Sequence, residues 1–111
     1  MMGGPKGTRA ERHRLKQAHP QLFRDILEIL NRHDPIGLVG IGAPDDEYEP
    51  EAGTILARLD EARSAGELER IVHEEFVSWF SEEIAGPRSR YEEAAREVWG
   101  VWETSGRNAD A

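Results

Sequence analysis

The residues best suited to chemistry lie in one stretch, DPIGLVGIGAPDDEYEP, spanning positions 34–50. Asp45, Asp46, Glu47 and Glu49, followed by Glu51, crowd carboxylates into seven residues. Hard cations want several oxygen ligands at fixed spacing, and this run lacks the D-x-D-x-D-G pattern of a calcium loop. A solvated acidic face is therefore expected ahead of a metal site. The segment GLVGIGAP is glycine-rich enough to suggest a phosphate cradle. Its spacing matches neither the P-loop nor the dinucleotide fingerprint, no Lys or Ser/Thr follows, and the adjacent acids would repel phosphate.

Histidine chemistry fares no better. Of His13, His19, His33 and His73, only His73 stands beside acids on a strong helical pattern, with Glu69 one turn before it. The zinc pattern H-E-x-x-H fails because position 77 is Val. Ser78 and Ser81 share a helix with His73 and have no oxyanion loop, so they form no nucleophile set. With no cysteine there is no thiol catalysis, disulfide framework or Cys-based zinc site. The expectation is a non-enzymatic protein with no catalytic residues, no metal and no cofactor.

A chain of 111 residues suffices for one domain. Hydrophobic residues make up 38% and charged residues 32%, so the core is small and the surface heavily charged. The formal net charge is −8, unevenly placed. Residues 1–24 hold Lys6, Arg9, Arg12, Arg14, Lys16 and Arg24 against the single acid Glu11, and the rest of the chain is strongly acidic. A basic arm on an acidic body can contact nucleic acid or fold onto its own body; the second is favoured, because the body repels a phosphate backbone beyond the arm's reach. No apolar run approaches the ~20 residues needed to cross a bilayer. The start of the chain has no apolar signal-peptide core, so a soluble cytoplasmic protein is expected.

The periodicity is helical throughout. Residues 1–8 and 106–111 read as flexible tails flanking one helical domain over 9–105. Thr8 caps a weakly specified helix from Arg9, with Glu11 at its third position. Pro20 opens a second, in which Leu22, Phe23, Ile26, Leu27, Ile29 and Leu30 share a side, and Pro35 ends it at Asp34. Pro50 opens a third, with Ile55, Leu56, Leu59 and Ala62 inward. Ser64 and Glu67 form a capping box before one long helix in which Leu68, Ile71, Val72, Phe76, Trp79, Phe80 and Ile84 recur, closed by Gly86 and Pro87. The last helix, from Pro87 to about Thr104, carries Tyr91, Ala94, Ala95, Val98, Trp99 and Trp102. The fold class is all-α, four to five short helices around one core with one long Gly/Pro-rich loop.

That loop has physical work to do. Asp34 can accept hydrogen bonds from its own turn, Gly37, Gly40 and Gly42 permit positive φ, and Ile36, Leu38, Val39 and Ile41 can dock on the core. Tyr48 is expected to lay its ring across the helices and keep its hydroxyl in water. Trp99 and Trp102 read first as core and rim, and second as an exposed aromatic anchor for a partner.

The D-P-I-G-L run at 34–38, the D-E-Y at 46–48 and the Pro-Glu-Ala helix opening at 50–52 together resemble a family of small bacterial helical proteins of unknown function. The similarity covers roughly residues 22–84. It implies an α-helical domain and supplies no activity or catalytic residues. Glu49 stands where the family more usually has Asp, the shorter and better helix cap.

The function these readings favour is a protein-interaction module. Its binding residues are Asp34, Asp45, Asp46, Glu47, Tyr48 and Glu49 on the loop, with Trp99 and Trp102 nearby, and its partner is an unidentified, basic protein. An immunity or antitoxin-like role belongs to this class, since electrostatic complementarity speeds capture of a basic site. The alternatives are a metal-dependent protein or enzyme using Asp34, the acidic loop and His73, and a nucleic-acid contact through Arg9, Arg12, Arg14 and Lys16.

Overall fold

A computed structural model of the chain describes residues 8–38, 40, 42 and 47–107. It contains six α-helices: α1 (Arg9–Ala18), α2 (Pro20–His33), α3 (Glu49–Arg58), α4 (Ala65–Trp79), α5 (Glu82–Ala85) and α6 (Glu92–Val101). Short 3₁₀ turns at Leu59–Glu61 and Arg88–Tyr91 and a π turn at Trp102–Arg107 complete the path, and no strand occurs among the described residues. The radius of gyration is 13.2 Å, which matches the roughly 13 Å of one compact domain of this length. Residues 1–7 and 108–111, most of the expected tails, lie outside the described residues.

Local signals set the helix starts. The Thr8 hydroxyl accepts from the Glu11 amide at 3.2 Å, and the Ser64 hydroxyl accepts from the Glu67 amide at 3.1 Å. Glu67 returns its carboxylate to the amide of Arg63 at 2.6 Å, one residue before the position a standard capping box would use. Pro20 and Pro50 stand in the first turns of α2 and α3, where a missing amide costs nothing.

Helix α3 is the central element, packed against α1, α2 and α4, with α6 across α4 and α2. Every residue from Glu51 to Ala57 is buried. Above it, Leu22, Ile26, Leu30, Leu68, Ile71, Val72, Phe76, Tyr91, Ala95 and Val98 close the core. Ala94 and Ala95 are both buried on the α6 side of the core.

The long helix predicted from Ser64 to Ile84 breaks instead into α4 and α5, giving six helices rather than four or five. Phe80 leaves helical geometry (φ −120, ψ −85), and the Ser81 hydroxyl recaps the chain by accepting from the Ile84 amide at 3.1 Å. Phe76 is fully buried, Trp79 at the end of α4 is 39% exposed, and Ile84 beyond the break is 53% exposed. The helix then ends at Gly86 as expected, with φ +78.

Candidate recognition site

The 34–50 segment is closed at its base by one carboxylate. Asp34 follows the last turn of α2 in the left-handed region (φ 47, ψ 58), its amide donating to the Leu30 carbonyl at 2.8 Å. Its carbonyl accepts from the Gly37 amide at 3.0 Å, and Gly37 takes the positive φ (+78) that the turn demands. The Asp34 Oδ2 atom accepts from the Gly40 amide at 2.8 Å, and Oδ1 accepts from the Tyr48 hydroxyl at 2.7 Å. One side chain thus holds the start, the middle and the end of the segment.

Tyr48 corrects an expectation. It is buried, and its hydroxyl is satisfied by Asp34 rather than by water. Burial, then the bond to Asp34, push its phenol well above the usual tyrosine range, so it stays a donor. Its ring packs on Phe76 (centroids 5.8 Å), which packs on Tyr91 (5.0 Å). Enclosed in this way, Tyr48 positions the loop and offers no surface of its own. Gly40 also departs from expectation: its φ is not positive, and a Cβ there would lie 3.3 Å from Asp34 Oδ2. Its smallness leaves room for the clasp.

The base is tied a second time by Arg90, whose Nη1 donates to the Pro35 carbonyl and to the Ala85 carbonyl, each at 3.1 Å. Ile36 and Leu38 pack against the core as expected. Gly40, Gly42 and Glu47 are exposed, and Glu49 is partly so, with its Oε1 3.4 Å from Lys16 Nζ. Val39, Ile41, Asp45 and Asp46 lie outside the described residues.

Helix α3 starts at Glu49 with Tyr48 as the cap residue, and no side chain caps it. Glu49 is itself the first helical residue and makes no capping contact. Two turns of buried backbone follow, and they contain an acid whose burial the sequence does not signal. Glu51 is 3% exposed with no hydrogen-bond partner for Oε1. Burial first, and repulsion from Glu47, push its carboxyl up to about 7, against the pull of Arg12.

The basic N-terminal helix lies on the body. The Arg12 guanidinium sits 5.2 Å from the centre of the Trp79 ring, and Lys16 Nζ sits 5.0 Å from that of Phe23. A Cβ built on Gly53 would come within 2.8 Å of Arg12 Cδ, so that glycine is what lets α1 approach α3. Trp79 Nε1 in turn donates to the Thr54 hydroxyl at 3.1 Å.

The remaining sequence candidates separate. Trp99 and Trp102 are half-buried and packed against the core, and Trp102 lines a small cavity of about 240 Å³ with Leu15, His19 and Leu22. Leu22 and Asp34 are near opposite ends of α2, roughly 18 Å apart at 1.5 Å per residue, so Trp102 and the loop base do not form one patch. The most exposed tryptophan is Trp79. His73 faces the Gly86 carbonyl at 2.9 Å and the Tyr91 ring at 5.6 Å. Among the described residues no three His, Asp or Glu side chains converge as metal ligands. No helix among the described residues is long and apolar enough to cross a membrane.

No family model matches the chain, and neither a curated protein nor a solved structure does.

Proposed function

We propose that the protein is a non-enzymatic interaction module that recognises a basic protein partner through the 34–50 segment. The observation that carries this reading is the Asp34 clasp: the Tyr48 hydroxyl at 2.7 Å and the Gly40 amide at 2.8 Å on one carboxylate. A connector that only joined two helices would need far fewer residues. Here the two ends of the segment are joined at Asp34, and exposed Gly40, Gly42 and Glu47 lie between them. A pre-ordered base lowers the cost of binding at the residues it carries.

The paired motif behind the family resemblance supports the same reading. Asp34 belongs to its D-P-I-G half and Tyr48 to its D-E-Y half, so the clasp gives the pairing a physical reason. The binding residues are then Asp45, Asp46, Glu47 and Glu49, with Asp34 and Tyr48 closing the base of the segment that carries them and Trp99 and Trp102 left to packing. A role that blocks a basic active site, immunity or antitoxin-like, fits this charge.

The test is affinity capture from the source cells on immobilised protein, run beside a D45N/D46N/E47Q variant of unchanged helicity. A partner retained by the first and lost by the second supports the reading. An identical set of retained proteins on both excludes the loop acids as the contact.

A further inference from the structure

Opposite in sign to the acidic loop, a groove runs between α1, the start of α2 and the start of α3. Two adjoining hollows of about 730 and 490 Å³ share His13, Lys16, Phe23 and Glu49 in their walls. Arg9, His13 and Lys16 lie at i, i+4 and i+7, on one face of α1, and Arg24 faces them from α2. All four are exposed, and Arg9, His13 and Arg24 make no ion pair among the described residues. Phe23 and Leu27 supply an apolar floor. The first turns of α2 and α3 also border the groove, at Pro20 and at Glu49 and Pro50, and add the positive ends of two helix dipoles.

We propose that this groove binds a short acidic peptide segment of another protein, anchored by an aliphatic or aromatic side chain on Phe23 and Leu27. This surface borders the loop and shares Glu49 with the reading above, but it needs none of Asp45, Asp46 and Glu47. Charge complementarity selects the occupant. Cations concentrated on an otherwise acidic chain attract acids locally, while the acids beyond are screened over a Debye length of about 8 Å at physiological ionic strength. A short segment stays within reach of the cations. A nucleic-acid strand would run on past them over the acidic body and would gain little from an apolar floor.

Glu49 already shows how a carboxylate sits there. Its Oε1 lies 3.4 Å from Lys16 Nζ at the middle of the groove, where it takes the contact that a ligand carboxylate would make. Glu49 therefore competes with the ligand, and removing its charge should strengthen binding rather than weaken it. A merely structural Lys16–Glu49 pair predicts no gain.

The experiment is fluorescence anisotropy of the whole protein with a labelled peptide of alternating Glu and Leu. Its controls are a Lys-for-Glu version, an all-Glu version and a single-stranded oligonucleotide of equal charge. The proposal predicts saturable, salt-sensitive binding of the Glu/Leu peptide, weaker binding of the all-Glu version and none of the Lys version. The exposed pair H13A/R24A should lower affinity at least about tenfold, equivalent to 1.4 kcal/mol, with unchanged circular dichroism, and Glu49→Gln should raise it several-fold. Amide shift perturbations should cluster on α1 and the first turns of α2 and α3. Tighter binding of the oligonucleotide than of the Glu/Leu peptide overturns the proposal, as does a Glu/Leu peptide that does not bind or that binds H13A/R24A equally well.

Discussion

The hydroxyl of Tyr48 and the carboxylate of Asp34, fourteen residues apart, are joined across 2.7 Å at the foot of the longest connector in the fold. The same carboxylate takes the Gly40 amide, so a single acid serves two donors that would otherwise be left without it.

Tyr48→Phe should keep the ring on Phe76 and lose the bond. Hydrogen bonds to charged groups are worth about 1.5–3 kcal/mol, and a loss at the lower end of that range is expected by urea denaturation. Asp34→Ala should cost more, because it strands a buried hydroxyl and a loop amide together. Both variants should speed hydrogen exchange at the Gly40 amide while leaving α6 protected. Unchanged exchange at Gly40 would show that the clasp does not order the loop.

Glu51 gives the fold an unusual pH dependence. Its carboxyl is pushed up to about 7 in the folded chain from an ordinary value of 4.5. A raised folded value means that the folded state holds the proton longer. This contribution therefore favours folding most below the ordinary value, declines as pH rises toward 7, and is gone above it. The full swing is on the order of 3–4 kcal/mol. Glu51→Gln should be more stable than the parent at pH 8 by roughly 1–2 kcal/mol, and the difference should shrink or reverse at pH 5. Paired denaturation curves at the two pH values measure it. Glu97 pulls the other way: bonds from Arg32 and His33 hold its carboxyl below the usual range, so its contribution fades in acid. Comparing Glu51→Gln with the parent cancels that contribution.

The N-terminal helix should open separately from the rest. No α1 residue is fully buried, and its contact with α3 depends on the space left by Gly53. Gly53→Val should push the Arg12 side chain off α3. Trypsin should then cut at Arg9, Arg12, Arg14 and Lys16 faster, at denaturant levels where the core stays folded. Equal cleavage rates would contradict this account of α1 docking.

Arg58 joins three acids, at 2.7 Å to Glu75 and 3.1 Å to both Glu61 and Glu74, and is only 19% exposed. Arg58→Met should keep the packing and lose the charge, leaving three carboxylates facing one another. A cost of about 2–3 kcal/mol is expected, reduced by salt. Glu61→Gln alone, on the more exposed flank, should cost under about 1 kcal/mol.

What the sequence made legible was whatever depends on near neighbours. The caps at Thr8 and Ser64, the prolines opening α2 and α3, and the i, i+3, i+4 stripe of α2 all act within a few residues. The break at Phe80 and Ser81 escaped because apolar spacing continues through it, and only Ser81 hinted at a new cap. Glu51 reads as a first-turn acid facing solvent, and only the packing of α1, α2 and α4 around α3 buries it. The roles of Tyr48 and Gly40 were hidden for a related reason: both depend on the loop returning to Asp34, a contact no periodicity reports. At the candidate site the charge was visible and the clasp was not.

Recognition through the 34–50 segment, closed at its base by Asp34 and Tyr48, is open to direct test. Its most direct measurement is the hydrogen-exchange footprint of the protein alone and in complex with the partner retained by capture. The account predicts new protection concentrated between residues 36 and 49, lost together with binding in D45N/D46N/E47Q. Protection confined to α4 or α6, or a protein that retains no partner, would contradict it.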